Sequence, residues 1–242
     1  MMKEERAASE VFILGPILIF MLLLFFNFLT RGLFSPLLPL IEHDFGISHA
    51  KSSRLFLILQ IGFSSSMVFS GYVSKALYHR GLILLYETLL GLSLLACAAS
   101  NTFVLFKISV FFLGLSAGLY APSGLASLTS LVQQRHWGKA LAIHELGPGL
   151  GMVFAPILVG LTTPLIPWRV LLIIVAFGNW ANGLFFLLVG KGGRFRGEPP
   201  HFANLRTIIN NFSFWILVVF FILGAGASMG IYSRSEERRV GK

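Results

Sequence analysis

The feature that most constrains this chain is a long apolar stretch without charge that is followed by a single arginine. Residues Val11–Leu29 carry no charged side chain and, at 1.5 Å per helical residue, are long enough to cross a bilayer. Arg31 follows, and Leu33–Ile41 is again almost entirely apolar. An arginine at membrane depth costs at least ~2.5 kcal/mol, so it normally faces a bundle interior or a water-filled cavity.

Arg31 shares one helix face with two other polar residues. Asn27 lies one turn before it and Ser35 one turn after it. The alternative is that the guanidinium snorkels along its own stem to the headgroups. We favour an inward-facing, functional Arg31 because apolar residues flank it on both sides.

The composition excludes an ordinary soluble domain. Hydrophobic residues make up 55% of the 242 residues and charged residues 12%, with a mean hydropathy of +0.80. The net charge of +9 comes from basic residues in short loops between apolar runs, where they act as topology signals. Basic and aromatic residues do not interleave on a soluble module, so we expect no nucleic-acid partner.

The hydropathy pattern predicts an all-α polytopic membrane protein with about seven spans, each near the ~20 residues that a bilayer requires. The predicted spans are Val11–Ile41, Leu55–Ser74, Leu82–Ser100, Phe103–Pro122 with an extension towards Val132, Ala140–Leu161, Trp168–Val189 and Phe212–Tyr232.

The loops between the predicted spans alternate in charge. Most basic residues fall into one set of loops, so the positive-inside rule places the N-terminus in the cytoplasm. We expect the chain to lie in the inner (cytoplasmic) membrane of the cell. Lys51 and Arg54 are the exceptions on the outer side.

The longest polar stretch predicts a boundary between two halves. We expect residues 1–190 to form a six-helix bundle, 191–211 a cytoplasmic linker, and 212–232 the first helix of a second, truncated half. Residues 233–242 change composition abruptly and are interpreted as a non-native, vector-derived tail.

The fourth and fifth predicted spans carry small residues at four-residue spacing, together with prolines. These residues are Gly114, Gly118 and Pro122 in the fourth span, and Gly147, Gly151, Ala155 and Pro156 in the fifth. Such stripes let two helix backbones approach closely. For each stripe alone, ordinary helix packing is the simpler interpretation, whereas two proline-broken stripes together are typical of helices that must also flex.

These motifs, in this order, resemble the N-terminal half of a major facilitator superfamily transporter. The matching segments are Pro36–Ser48 at the outer end of helix one, Gly71–Gly81 in the signature loop between helices two and three, Gly114–Pro122 in helix four, Gly147–Gly160 in helix five, and Trp168–Arg169 at the start of helix six. The family loop usually carries an acid and an arginine after its first glycine, where this chain has Lys75 and Ala76.

The resemblance implies a facilitator fold and secondary active transport of a small solute by alternating access, with H⁺ or Na⁺ as a coupling ion. Helices one and four would contribute Asn27, Arg31 and Lys107 to a central cavity, and its positive charge favours an organic anion. The residues implied in packing or conformational change are Gly71, Arg80, Gly114, Gly118, Pro122, Glu145, Gly147, Gly151 and Pro156.

Three other polar sites within the predicted spans leave alternatives open. We expect Glu87 to pair with Arg80 or Lys75 rather than to relay protons. Lys107 either snorkels or faces the cavity. We expect His144 and Glu145 to pair with the basic residues of the cytoplasmic loops, with proton coupling as the alternative.

No catalytic triad, phosphate-binding loop, dinucleotide motif or metal-ligand cluster appears in the sequence, so we expect neither an enzyme nor a cofactor. The competing interpretation is a non-transporting membrane half that works only with a second half. Sequence beyond Tyr232 with five more apolar spans would favour the transporter.

Overall fold

The computed structural model describes residues 14–198, 207, 209–220 and 223. Among these residues the chain is built from α-helices, joined by short turns and a 3₁₀ turn at Gln134–His136. The helices are α1 (Leu14–Gly32), α2 (Phe34–Phe45), α3 (His49–Ser52), α4 (Arg54–Ala99), α5 (Phe103–Leu131), α6 (Trp137–His144), α7 (Leu146–Thr162) and α8 (Trp168–Val189).

Within the described residues, five helical runs are long and apolar enough to cross a membrane. They are Leu14–Phe45, His49–Ala99, Phe103–Leu131, Gln134–Thr162 and Trp168–Val189. The expected all-α membrane fold is therefore confirmed, whereas the predicted number of six helices plus one is not.

The difference in number arises mainly in α4, which contains two of the predicted spans. Its 46 residues would measure about 70 Å as one straight helix, roughly twice the thickness of a bilayer core. Tyr78 interrupts it with φ 60° and ψ 160°, a conformation outside the helical region. The chain thus changes direction at Tyr78, and we refer to the parts before and after it as α4a and α4b. The seventh predicted span, Phe212–Tyr232, lies largely outside the described residues. Of its described residues, 212–220 are helical.

Two of the helical runs are interrupted shortly before a proline. The predicted span Val11–Ile41 consists of α1 and α2, which meet at Leu33. Glu145 separates α6 from α7 in the same way. Each break precedes a proline by three residues, Pro36 and Pro148, which lack the N–H that would continue the hydrogen-bond ladder. Both prolines therefore occupy the first turn of the following helix, where a missing N–H costs little.

Close packing joins the helices in pairs that are distant in sequence, and glycines lie at each contact. A Cβ on Gly151 of α7 would lie 2.7 Å from the Phe25 oxygen and the Leu29 nitrogen of α1. A Cβ on Gly118 of α5 would overlap the Phe63 carbonyl of α4a. A Cβ on Gly91 of α4b would overlap the indole of Trp180 in α8. The pairs are therefore α1 with α7, α4a with α5, and α4b with α8.

Arginines bind the carbonyl groups at helix C-termini at the two ends of this bundle. At one end Arg169 donates to the carbonyls of Ala98 and Ser100 at 2.8 and 2.7 Å and forms an ion pair with Asp44 at 2.9 Å. At the other end Arg80 donates to the carbonyls of Gly190 and Leu187 at 2.6 and 2.8 Å. Each guanidinium thus satisfies carbonyls at the C-terminus of a helix, where a positive charge is also favoured by the helix dipole.

The chain divides into two units, residues 1–199 and 200–242. The first unit contains α1 to α8 and the segment 191–198. The predicted boundaries at 190 and 211 remain a prediction, although the first residues of the predicted linker pack within the first unit.

Candidate functional site

Arg31 lies near the middle of the 32-residue run formed by α1 and α2. Its guanidinium carbon is 4.6 Å from the ring centre of Phe28 and 4.3 Å from that of Phe63 in α4a. A cation between two aromatic faces is attracted by their quadrupoles. Its Nε and Nη1 atoms are buried and have no hydrogen-bond partner in the described part of the chain. Donors left unpaired at this depth point to a partner that is not part of the bundle itself.

Asn27 lies one turn from Arg31 and is 1% exposed. Its amide nitrogen donates to the Ala117 carbonyl of α5 at 2.9 Å, whereas its Oδ1 is unpartnered among the described residues. Asn27, Phe28 and Phe63 line a cavity of 220 Å³ between α1, α4a and α5, which extends to His144. Arg31 is adjacent to this cavity through the rings of Phe28 and Phe63, which line it.

Lys107 is not part of this group. It lines a separate cavity of 290 Å³ with Ile58 and Phe111, on the other side of the α4a–α5 contact. Its Nζ atom lies 5.4 Å from the ring centre of Phe103, at the start of α5. The expectation that Lys107 joins Asn27 and Arg31 in one cavity is not met by this arrangement.

His144 and Glu145 do not pair with the basic loops as expected, but with each other and with a tyrosine. The His144 Nδ1 lies 3.1 Å from the Glu145 carboxylate, and the Nε2 lies 3.0 Å from the Tyr120 hydroxyl. That hydroxyl donates in turn to the Phe20 carbonyl of α1 at 2.9 Å. His144 is buried and lines the 220 Å³ cavity together with Asn27.

The expected pairing of Glu87 with a loop cation is also wrong. Glu87 in α4b is 1% exposed, and its Oε1 accepts a hydrogen bond from Asn182 of α8 at 2.6 Å. The Tyr86 hydroxyl lies 2.8 Å from the same oxygen and 2.8 Å from the Leu23 carbonyl. Arg80 contacts the end of α8 instead. Glu87 therefore belongs to a buried polar network that connects α1, α4b and α8.

Sequence reasoning missed the polar residues of α8 that fix these networks. Asn179 donates to Thr30 of α1 at 3.0 Å, and Asn182 to Glu87. The available signal was their three-residue spacing, which places both amides on one face of an otherwise apolar helix. Amides inside a span rarely remain without a hydrogen-bond partner, so their face indicates where neighbouring helices pack.

The unpartnered groups of Arg31 and Asn27 are of kinds that can bind a polar ligand. Arg31 can bind an anion through two parallel N–H groups, and Asn27 can accept a hydrogen bond through its free oxygen. Within the described residues, no three His, Cys, Asp or Glu side chains are grouped so that they could hold a metal ion.

Comparisons with known proteins bear on the fold and the family of the chain. The family model described as Major Facilitator Superfamily matches residues 20–235. An uncharacterised transporter of this type from Bacillus subtilis, YfiU, is 28% identical over 64% of this chain and 28% of its own length. The multidrug resistance protein MdtL of Klebsiella pneumoniae is 23% identical over 72% of this chain and 46% of its own. The chain thus spans less than half the length of these curated relatives.

Solved structures show the same fold. The crystal structure of a POT family transporter in complex with 5-aminolevulinic acid superposes with a TM-score of 0.68 at 15% identity. The match covers 93% of this chain and 49% of that transporter.

Proposed function

Because the chain belongs to the Major Facilitator Superfamily, we propose that it transports a small organic anion across a membrane by alternating access. It is an integral, multi-pass membrane protein, and its helices α1 to α8 would form the N-terminal half of the transporter. Residues from 212 onwards would begin the second half. In this scheme the two halves rock about a binding site near the bilayer midplane, so residues of α1 that lie at mid-depth are the candidates for substrate contact.

The observation that carries the proposal is the pair of unpartnered donors on Arg31 at that depth. A guanidinium can hold the two oxygens of a carboxylate or phosphate group through a pair of parallel N–H groups, and the Nε and Nη1 atoms of Arg31 have no other partner among the described residues. The Phe28 and Phe63 rings hold the guanidinium between them, so less rotamer freedom remains to be lost on binding. The free Oδ1 of Asn27 would accept a hydrogen bond from a hydroxyl or ammonium group of the same solute.

The orientation that we propose places the N-terminus and the segment 191–198 in the cytoplasm, with the loop around Gly46 outside. The Arg135, Lys139, Lys191 and Arg194 side chains would then all lie on the cytoplasmic side. H⁺ or Na⁺ would be the coupling ion.

A thermal-shift screen with matched solutes tests the anion site. Small carboxylates and phosphate esters are compared with their uncharged amides and alcohols on the purified chain. We expect at least one anion to raise the melting temperature, its neutral counterpart not to do so, and the effect to vanish in Arg31→Ala. Arg54→Ala is the matched control, because Arg54 is exposed at the end of a helix. Stabilisation that survives in Arg31→Ala would contradict the site.

A further inference from the structure

A second basic site, distinct from the surroundings of Arg31, lies at the end of the bundle where α4a turns into α4b. Here a cavity of 380 Å³ is lined by two arginines, Arg80 and Arg194, and by four other residues. The other lining residues are Leu77, Tyr78, Gly81 and Leu84. A third arginine, Arg196, lies with its guanidinium carbon 5.3 Å from the ring centre of Tyr78. None of the lining residues is acidic.

From this combination we infer that the cavity binds the headgroup of an anionic phospholipid of the surrounding membrane. The inference is independent of what Arg31 binds.

The first argument is that two positive charges line the cavity and no acidic residue of the lining balances them. Arg194 and Arg80 are close enough for their positive charges to act on each other. Arg194 has no hydrogen-bond or ion-pair partner in the described part of the chain. Holding like charges together in one cavity costs free energy, and a phosphate between them removes that cost.

The second argument is that Arg80 and the backbone around Arg194 are held in place. Arg80 is fixed because its guanidinium donates to the last carbonyls of α8 and its backbone N–H donates to the Gly193 carbonyl at 2.8 Å. The His79 N–H donates to the Phe195 carbonyl at 3.1 Å, and the two rings are 4.6 Å apart. The segment on either side of Arg194 is therefore docked on the turn at Tyr78. Preformed sites of this kind bind with a smaller loss of entropy.

The third argument is the level at which the cavity lies relative to the membrane-crossing helices. Arg80 binds the C-terminal carbonyls of α8, so the cavity lies level with the end of a membrane-crossing helix. Leu77 is 45% exposed, and Leu84 lies on the wall that continues along α4b. A cavity of 380 Å³ is in the range of small-ligand pockets but is smaller than a whole phospholipid. The headgroup would enter it while the acyl chains follow the apolar wall. Basic pockets at the cytoplasmic ends of membrane helices bind anionic headgroups in this way.

Native mass spectrometry of the purified chain tests the inference, with phosphatidylglycerol as the probe and phosphatidylcholine as the uncharged comparison. We expect one phosphatidylglycerol adduct in clear preference to phosphatidylcholine. In Arg194→Gln the apparent affinity for phosphatidylglycerol should fall about fivefold, as expected for one basic residue at a membrane surface. Arg194 is exposed and makes no hydrogen bond in the described structure, so its replacement leaves the fold intact, whereas replacing Arg80 would also remove the cap of α8.

Arg135→Gln is the matched control, since Arg135 is exposed at the same end of the bundle and lies outside the cavity. It should keep the affinity of the wild type. Equal binding of the two lipids, or equal losses in Arg194→Gln and Arg135→Gln, would overturn the inference.

Inorganic phosphate distinguishes a lipid site from a site for a free anion. Because salt alone weakens charge interactions, phosphate is compared with sodium chloride at equal ionic strength. The two should displace phosphatidylglycerol equally. Stronger displacement by phosphate would show a site for a soluble anion and would overturn the lipid assignment.

Discussion

At the scale of single residues, the position of Arg31 makes its chemistry testable by conservative replacement. Arg31→Lys keeps the charge but loses the planar fork that pairs with an anion at two points and stacks between Phe28 and Phe63. Arg31→Ala removes the charge as well. Losing one partner of a desolvated, hydrogen-bonded charge pair costs about 2–5 kcal/mol, which corresponds to at least a tenfold loss of affinity. We expect a lower affinity for the stabilising anion in Arg31→Lys and a still lower one in Arg31→Ala, measured by titration calorimetry.

Expression and melting temperature without ligand serve as the control for both variants. Unchanged affinity in a well-folded Arg31→Ala variant would show that the guanidinium does not contact the substrate.

Glu87 leads to a different prediction because its carboxyl has polar neighbours and no cation beside it in the described structure. Glu87→Gln keeps the volume of the side chain and can retain the hydrogen bond with Asn182. Glu87→Leu also keeps the volume, but it leaves the buried Asn182 amide without an acceptor. An unsatisfied buried donor costs about 1–3 kcal/mol. We expect Glu87→Gln to melt close to the wild type and Glu87→Leu several degrees lower in the same detergent. Equal melting of the two variants would show that the network adds no stability.

At the scale of helices, two of the glycines of α7, Gly151 and Gly149, form a pair of variant and control. Gly151 faces α1, where a Cβ would lie 2.7 Å from the Phe25 oxygen, whereas a Cβ on Gly149 meets nothing within 4 Å. Overpacking of a tight contact costs about 1–3 kcal/mol. An alanine at an open helical position is neutral or stabilises by up to about 1 kcal/mol. We therefore expect Gly151→Ala to lower the melting temperature and Gly149→Ala to leave it unchanged or raise it. The reverse order would mean that α7 does not pack on α1 through this face.

The helices themselves could be predicted from the sequence because each span must satisfy its own backbone inside a bilayer. The extension of α5 beyond Pro122 was predicted, and so were the bounds of α8. The turn at Tyr78 was located between two predicted spans, but its backbone conformation was not foreseen, since a positive φ at a tyrosine has no sequence signal.

Partners across helices were harder to predict. Glu87 and His144 were assigned to nearby basic loops, because spacing along the chain indicates only local neighbours. Their actual partners, Asn182 and Tyr120, come from other helices and depend on how the bundle packs. Asn27 and Arg31 were grouped correctly on one face because both lie on α1, where helical periodicity alone fixes their relation. Lys107 was placed with them only by resemblance to the family.

At the scale of the whole molecule, the two ends of the bundle differ in charge, and this difference predicts its orientation. Cysteine labelling can test it, since the native Cys97 is fully buried. Ala50→Cys and Gln134→Cys both create exposed thiols, at opposite ends of the bundle. We expect a membrane-impermeant maleimide to label Ala50→Cys in intact cells and Gln134→Cys only after lysis.

The wild type, which carries only Cys97, should remain unlabelled in both conditions. Labelling of Gln134→Cys in intact cells would reverse the proposed topology.

The pairing of helices that are distant in sequence also determines how long polar groups of α1 remain without their hydrogen-bond partners during synthesis. Thr30 bonds with Asn179, which is synthesised 149 residues later, and Asn27 bonds with Ala117, which is synthesised 90 residues later. At ~5–20 residues per second, the ribosome needs about 7–30 s to supply the later of these partners. During that time α1 lies in the bilayer or the insertion machinery with the Asn27 amide and the Thr30 hydroxyl unpaired. Quality-control proteases would therefore act on the incomplete nascent chain. Substitutions that stabilise only the complete bundle would not reduce this degradation.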